Sequence, residues 1–277
     1  MANGAKDIRT IRVNGVELAY RFDGPESGRV VMISNSLMSD HTMWDVTVPA
    51  LADRYRVLRY DTRGHGGSGT TPGPYSIELL ADDARGLMDA LGIRQVHFVG
   101  LSMGGMIAQQ IGARFPERVY SLSLCDTASE MPPRSMWEER LAIARSKGIA
   151  GLVDATIQRW FTAPFIARGS QSVEMVRRMI LNTGTEGFIA CACAVRDMAQ
   201  TTMLLQVKAP TLVIVGRQDP ACSVEKATVI HRMIDGSQMV IVEEAAHLSN
   251  IEQPQVFNGA LRRFIDRVDD SLPKKPA

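Results

Sequence analysis

Apolar residues along the first part of the chain come in short runs separated by stretches with helical spacing. Residues 8–13 and 16–22 alternate around Asn14-Gly15, the dipeptide that best accepts the positive φ angles of a two-residue hairpin turn. A β-hairpin is expected to open the chain. Val30-Val31-Met32-Ile33, residues 55–60 and Val96-His97-Phe98-Val99 are further short apolar segments, with helical patterning at 76–91 before the third. Short strands separated by helices predict a parallel sheet covered on both faces. Residues 103–115 read as a helix stopped by Pro116, and 120–124 supply the next strand.

The alternation of strand and helix then stops. From 128 to 205 the pattern is helix-like, rich in methionine and carrying Trp137 and Trp160, with no run that reads as a buried strand. The sheet resumes at 211–215 and 238–242, and a helix at 255–268 closes it. The organisation predicted is an α/β core of 1–127 and 206–277 interrupted by a helical lid at 128–205.

Composition narrows the partners. In 277 residues, 31 lysines and arginines balance 30 aspartates and glutamates, so no basic field favours nucleic acid, and a small molecule is the expected partner. Residues 1–6 lack the apolar run of a signal peptide, and no stretch is apolar enough to span a bilayer. A cytoplasmic protein off the membrane is expected, with its oligomeric state open. Cys125, Cys191, Cys193 and Cys222 fit neither a zinc site nor a disulfide framework and read as reduced, Cys191 and Cys193 as small core residues. No metal or cofactor is called for by any motif. The end, 272–277, reads as a solvated tail.

Gly100-Leu101-Ser102-Met103-Gly104 falls between a predicted strand and a predicted helix, the setting in which GxSxG makes a sharp turn that exposes a serine hydroxyl. Side chains two residues from the serine would collide there, and the helix N-terminus aims amides at developing negative charge. A serine needs a base. His97 lies within a strand and His231 on a helix, both read as structural or surface residues. His65 precedes the serine and reads as a turn residue near the site. His247 follows the last strand, at the carboxyl edge where open α/β sheets place ligands. Asp219, after the strand at 211–215, is the first choice for the carboxylate that orients it, with Asp126, after 120–124, as competitor. The order serine, acid, histidine is that of α/β-hydrolases. Oxyanion donors are expected from the N–H of Met103 and from the loop after 30–33, with Leu37 chosen there.

Arg59-Tyr60-Asp61-Thr62-Arg63-Gly64-His65-Gly66, Gly100-Leu101-Ser102-Met103-Gly104-Gly105 and His247-Leu248-Ser249-Asn250-Ile251-Glu252-Gln253-Pro254 together closely resemble the 3-oxoadipate enol-lactonases, almost end to end. Asn35-Ser36-Leu37, Met43-Trp44-Asp45, Arg159-Trp160-Phe161-Thr162 and Cys193-Ala194-Val195-Arg196-Asp197 are similar to further segments of that family. The resemblance implies an α/β-hydrolase fold and cofactor-independent hydrolysis of 3-oxoadipate enol-lactone to 3-oxoadipate in the β-ketoadipate pathway of aromatic degradation. A substrate carboxylate would then need an anchor. Arg196 is the candidate, with Trp137 and Trp160 as further substrate contacts. A broader carboxylesterase or lactonase, a perhydrolase, and a non-catalytic ligand-binding homologue are the other readings.

Overall fold

The computed structural model describes residues 8–273; residues 1–6, read above for a leader, and 274–277 of the expected tail lie outside these. The hairpin is present as β1 (Arg9–Val13) and β2 (Val16–Asp23), turning through Asn14 at φ 46° and Gly15 at φ 79°. The β2 strand runs antiparallel to β4 (Arg56–Tyr60); the remaining pairings, among β3 (Val30–Ser34), β4, β5 (Val96–Leu101), β6 (Val119–Cys125), β7 (Thr211–Gly216) and β8 (Gln238–Val242), are parallel. The eight strands lie in the order β1-β2-β4-β3-β5-β6-β7-β8. From β3 the chain steps to one side for β4 and returns to the other for β5. That reversal leaves a crevice beyond the carboxyl ends of β3 and β5.

Both faces are covered, which is why β5 and β7 are buried at every position. Alternation along the strands sorts the coverings. Leu122 of β6 meets α2 (Met103–Arg114) at Gly112, where an added Cβ would lie 2.3 Å from the leucine side chain. The adjacent Ser121 points the other way with His97, its partner across the ladder. His97 accepts or donates to Ser121 Oγ at 2.8 Å through Nδ1 and faces Asp269 of the last helix through Nε2, so its role is structural. Before α2, α1 (Ile77–Ala90) crosses from β4 to β5, capped by the Ser76 hydroxyl, which accepts from Leu79 N–H.

Five helices stand between β6 and β7: α3 (Arg134–Lys147), α4 (Val153–Trp160), α5 (Ala163–Ala167), α6 (Gln171–Leu181) and α7 (Thr185–Asp197). Two backbones meet where α7 reaches the core. A Cβ on Gly187 would fall 2.0 Å from the carbonyl oxygen of Gly64, in the turn after β4. Cys191 and Cys193 are buried on the same helix, and all four cysteines are unpaired. The core closes with α8 (Val224–Met233), which carries His231, a four-residue α9 (Ser249–Glu252) and α10 (Pro254–Ser271). No helix among the described residues is long and apolar enough to cross a membrane.

The turn after β4 is fixed by a buried ion pair. Arg63 donates to both oxygens of Asp83 on α1 at 2.7 Å, and also to Asn14 O at 3.1 Å and Thr71 Oγ1 at 2.9 Å. Replacing Arg63 by Met would leave the Asp83 carboxylate buried without its cation, a change that costs about 3–5 kcal/mol. Chemical denaturation of Arg63→Met should show a loss of that size at an unchanged m value.

Candidate active site

Ser102 sits at φ 55°, ψ −116°, a conformation that L-residues rarely adopt, at the point where β5 turns into α2. Its backbone is pinned on both sides: the N–H donates to Cys125 O at 2.9 Å, and the carbonyl accepts from Thr127 Oγ1 at 2.7 Å. The flanking glycines are dictated by contact. A Cβ on Gly100 would lie 2.1 Å from Gly104 O, and one on Gly104 would lie 2.2 Å from Ser34 O. The serine side chain is thereby thrust from the end of the sheet into the crevice.

His247 and Asp219 arrive from the loops after β8 and β7. Asp219 Oδ2 takes the proton side of His247 Nδ1 at 2.7 Å, while its Oδ1 accepts from Ala221 N–H at 2.7 Å and Cys222 N–H at 2.9 Å. The two amide bonds fix one oxygen of this carboxylate and leave the other facing the imidazole. The loops themselves abut closely, since a Cβ on Gly216 would lie 2.1 Å from Ala246 O. Trp160 packs its ring 6.0 Å from that of His247, tilted by 32°. The ligating atoms of Asp219, Cys222 and His247 lie within 4.8 Å of one another. With the carboxylate held by two amides and bonded to the histidine, the cluster can orient His247 for proton transfer.

Asp126, the competing acid, does not reach the histidine. Its Oδ1 accepts from Gly216 N–H at 2.7 Å and its Oδ2 from Ser249 Oγ at 2.5 Å, and it is fully buried at φ 42°. Burial, then the nearby Asp219, push its pKa well up. It ties the acid loop to the histidine loop. The turns agree: the backbone N–H of Asp126 donates to Ile214 O at 2.8 Å.

Ser102 and His247 line a cavity of 180 Å³ together with Leu37, Met106, Met131, Trp137, Trp160 and Val195. This is below the ~300–1,000 Å³ typical of pockets for drug-sized ligands, so the space suits a small substrate. Trp137 is anchored by its indole N–H, which donates to Met131 O at 3.0 Å. No acceptor among the described residues takes the N–H of Leu37 or of Met103.

Arg196 stands elsewhere. It follows Val195 on α7, and the helical turn carries it out of the cavity, where its guanidinium bonds Asp197 at 2.8 and 2.5 Å and Glu138 at 2.8 Å. It lines a separate open groove with Arg145 and Cys193. The cations that do line the cavity are Arg140, Arg159 and Lys226. Arg140 has no carboxylate partner among the described residues: its guanidinium lies over Trp137 at 5.2 Å, donates weakly to Met38 Sδ at 3.6 Å, and leaves Nε buried without an acceptor there. Burial, then Arg159, push its pKa down to about 10, so it is charged at neutral pH. The signal for Arg140 was its place three residues after Trp137, on one face of a helix. Arg159 was in view beside Trp160.

The chain matches the alpha/beta hydrolase family over residues 30–260. The chain belongs to that family. This alpha/beta hydrolase is 34% identical to 3-oxoadipate enol-lactonase 2 of Acinetobacter baylyi, over 93% of the chain and 96% of the relative. Among solved structures, the enol-lactonase from Burkholderia xenovorans superposes with a TM-score of 0.91 at 37% identity, covering 93% of this chain and 100% of that one. A thermophilic esterase from Thermogutta terrifontis, solved with malate bound, gives 0.88 at 30% identity over 95% and 99%.

The two acids can be ranked by kinetics on folded variants. Asp219→Asn should lower kcat by about 10³–10⁴-fold, the scale seen when the orienting carboxylate of such a triad is neutralised. Asp126→Asn should lower it far less and show its main effect in thermal stability.

Proposed function

We propose that this hydrolase opens 3-oxoadipate enol-lactone to 3-oxoadipate through an acyl-enzyme. The observation that carries the reading is Arg140 with Arg159, facing the same small cavity as Ser102, His247 and Lys226, neither arginine paired with a carboxylate among the described residues. A desolvated guanidinium with a second arginine beside a nucleophile selects an anionic ester, and an enol-lactone with a free carboxylate is one. The names of the enol-lactonase relatives support the same substrate.

In this mechanism His247 Nε2 takes the Ser102 proton as Oγ attacks the lactone carbonyl. Asp219 keeps Nδ1–H in place and stabilises the imidazolium. The N–H groups of Leu37 and Met103 receive the oxyanion. Collapse expels the ring oxygen as an enol, which takes the proton back from His247, and the enol tautomerises to the ketone. Water, activated by the same histidine, then releases the second carboxylate. The partner in this reading is a small molecule met in the cytoplasm, with no cofactor in any step.

The flexible thioethers of Met106, Met131 and Met136 along the wall favour a second reading, acceptance of other small esters and lactones. Assays of purified protein against the enol-lactone, neutral lactones and aryl esters separate the two. Ser102→Ala should abolish turnover of every substrate while the fold is retained. Arg140→Met should lower kcat/KM for the carboxylated lactone by about 10²-fold or more, as expected for a desolvated charge-assisted contact, and for a neutral aryl ester by only a few-fold. Equal losses on both would remove the carboxylate-anchor role.

A further inference from the structure

The loop from β3 has its geometry fixed at two peptide planes, one on each side of Leu37. In the first, the Ser36 carbonyl accepts from Ser39 N–H at 3.3 Å and Ser39 Oγ at 2.7 Å. A trans peptide sends its N–H opposite to its carbonyl, so these bonds aim the Leu37 N–H the other way. The second plane contains the Met38 N–H, which donates to His65 Nε2 at 3.0 Å. Met38 is fully buried and stands at φ 64°, a left-handed conformation that a residue with its side chain occupies only when the surroundings impose it.

Among the described residues, His65 is the one acceptor for that amide. To accept at Nε2 the ring must be neutral with its proton on Nδ1, and the groups facing Nδ1 fit: Arg63 O at 3.4 Å and Cys191 Sγ at 3.9 Å. The ring is buried and belongs to the turn that Arg63 locks onto Asp83. It does not line the cavity around Ser102.

We infer that His65 is a positioning residue for the oxyanion site: by accepting from Met38 N–H it holds the strained Leu37–Met38 peptide, and through it the Leu37 N–H, where negative charge develops during ester cleavage. This rests on the assignment of Leu37 as an oxyanion donor. Without the acceptor, the Met38 amide would be buried without a partner, and the loop would relax out of its left-handed turn to find one. The Leu37 N–H would turn with it. Substrate binding would be touched less than turnover, because Arg159 and the tryptophans lie on other elements and Arg140 meets the loop only through the weak contact with Met38 Sδ.

The test uses the aryl ester or lactone that the wild-type protein turns over fastest, and a trifluoromethyl ketone, whose hemiketal with Ser102 places an oxyanion in the same site. Removing one oxyanion donor outright costs about 10²–10³-fold in kcat. His65→Leu, which displaces a donor without deleting it, should lower kcat by about 10–10²-fold with KM changed by less than about threefold. The inhibition constant for the trifluoromethyl ketone should rise by the same factor. A glutamine can set its amide oxygen near the position of Nε2, whereas an asparagine reaches only the position of Nδ1, so His65→Gln should recover most of kcat and His65→Asn should not. That contrast between two folded polar variants stands even where the leucine variant is too unstable to assay. Equal activity of the Gln and Asn variants would overturn the inference, as would a leucine variant with wild-type kcat and ketone affinity. Ser102→Ala, run in parallel, separates the causes: if it keeps its turnover, the underlying assignment of the site fails, whereas an inactive Ser102→Ala beside an unaffected His65→Leu removes His65 alone.

Discussion

Ser102 is held at a positive φ by backbone that leaves no space for a β-carbon on either flanking glycine, and much of the remaining architecture serves that constraint. The sharp turn is possible because β5 is central and buried, so the strand cannot move to relieve the strain. The start of α2 is wedged against the end of β3 at Ser34, which brings the loop carrying Leu37 beside the serine. Thr127, just beyond β6, closes the turn from the other side by donating to the serine carbonyl. Local strain of this kind persists where neighbouring elements over-determine it.

Asp219 and His247 are placed by a similarly small set of contacts. Asp126 sits where an acid could serve His247, yet both of its oxygens are used to bind the two loops that carry Asp219 and His247. Glu252 does a related job on the far side, accepting from Ala246 N–H at 2.9 Å and from the N–H of Thr162, which caps the start of α5, at 3.0 Å. The histidine loop is therefore fastened to the loop carrying Asp219 by one buried carboxylate and to the helices between β6 and β7 by another. Trp160, next to this attachment, supplies the wall against His247.

Much of this could be read from the residues in order. The strands, the helix after Ser102 and the stretch of helices before β7 follow from local periodicity and from turn residues such as Asn14-Gly15, which need no knowledge of the rest of the chain. Ser102, Asp219 and His247 could be assigned to strand ends by the same reading; in the structure His247 bonds Asp219, and Ser102 and His247 line one cavity. Arg196 and Arg140 show where such reading stops. Both are arginines on the helices between β6 and β7, and only the rotation of α7 relative to α3 decides which one faces the cavity. A single residue along a helix turns a side chain by about 100°, so Val195 points inward and Arg196 finds Asp197 and Glu138 outside. The role of Asp126 was equally hidden, because its position after a strand says nothing about which partners consume its oxygens.

The contact of Gly64 with Gly187 sets the height of the roof over the serine. Because two backbones touch there with no side chain between them, α7 lies at its minimum distance from the core, and the inward residue Val195 is carried down with it. Any bulkier residue at either position would act as a shim, lifting one end of the helix and enlarging the chamber below. The size of molecule that this enzyme can enclose is thus governed partly by two residues that never meet it, and a family could retune its substrate range by changing that spacer while leaving every reacting group in place.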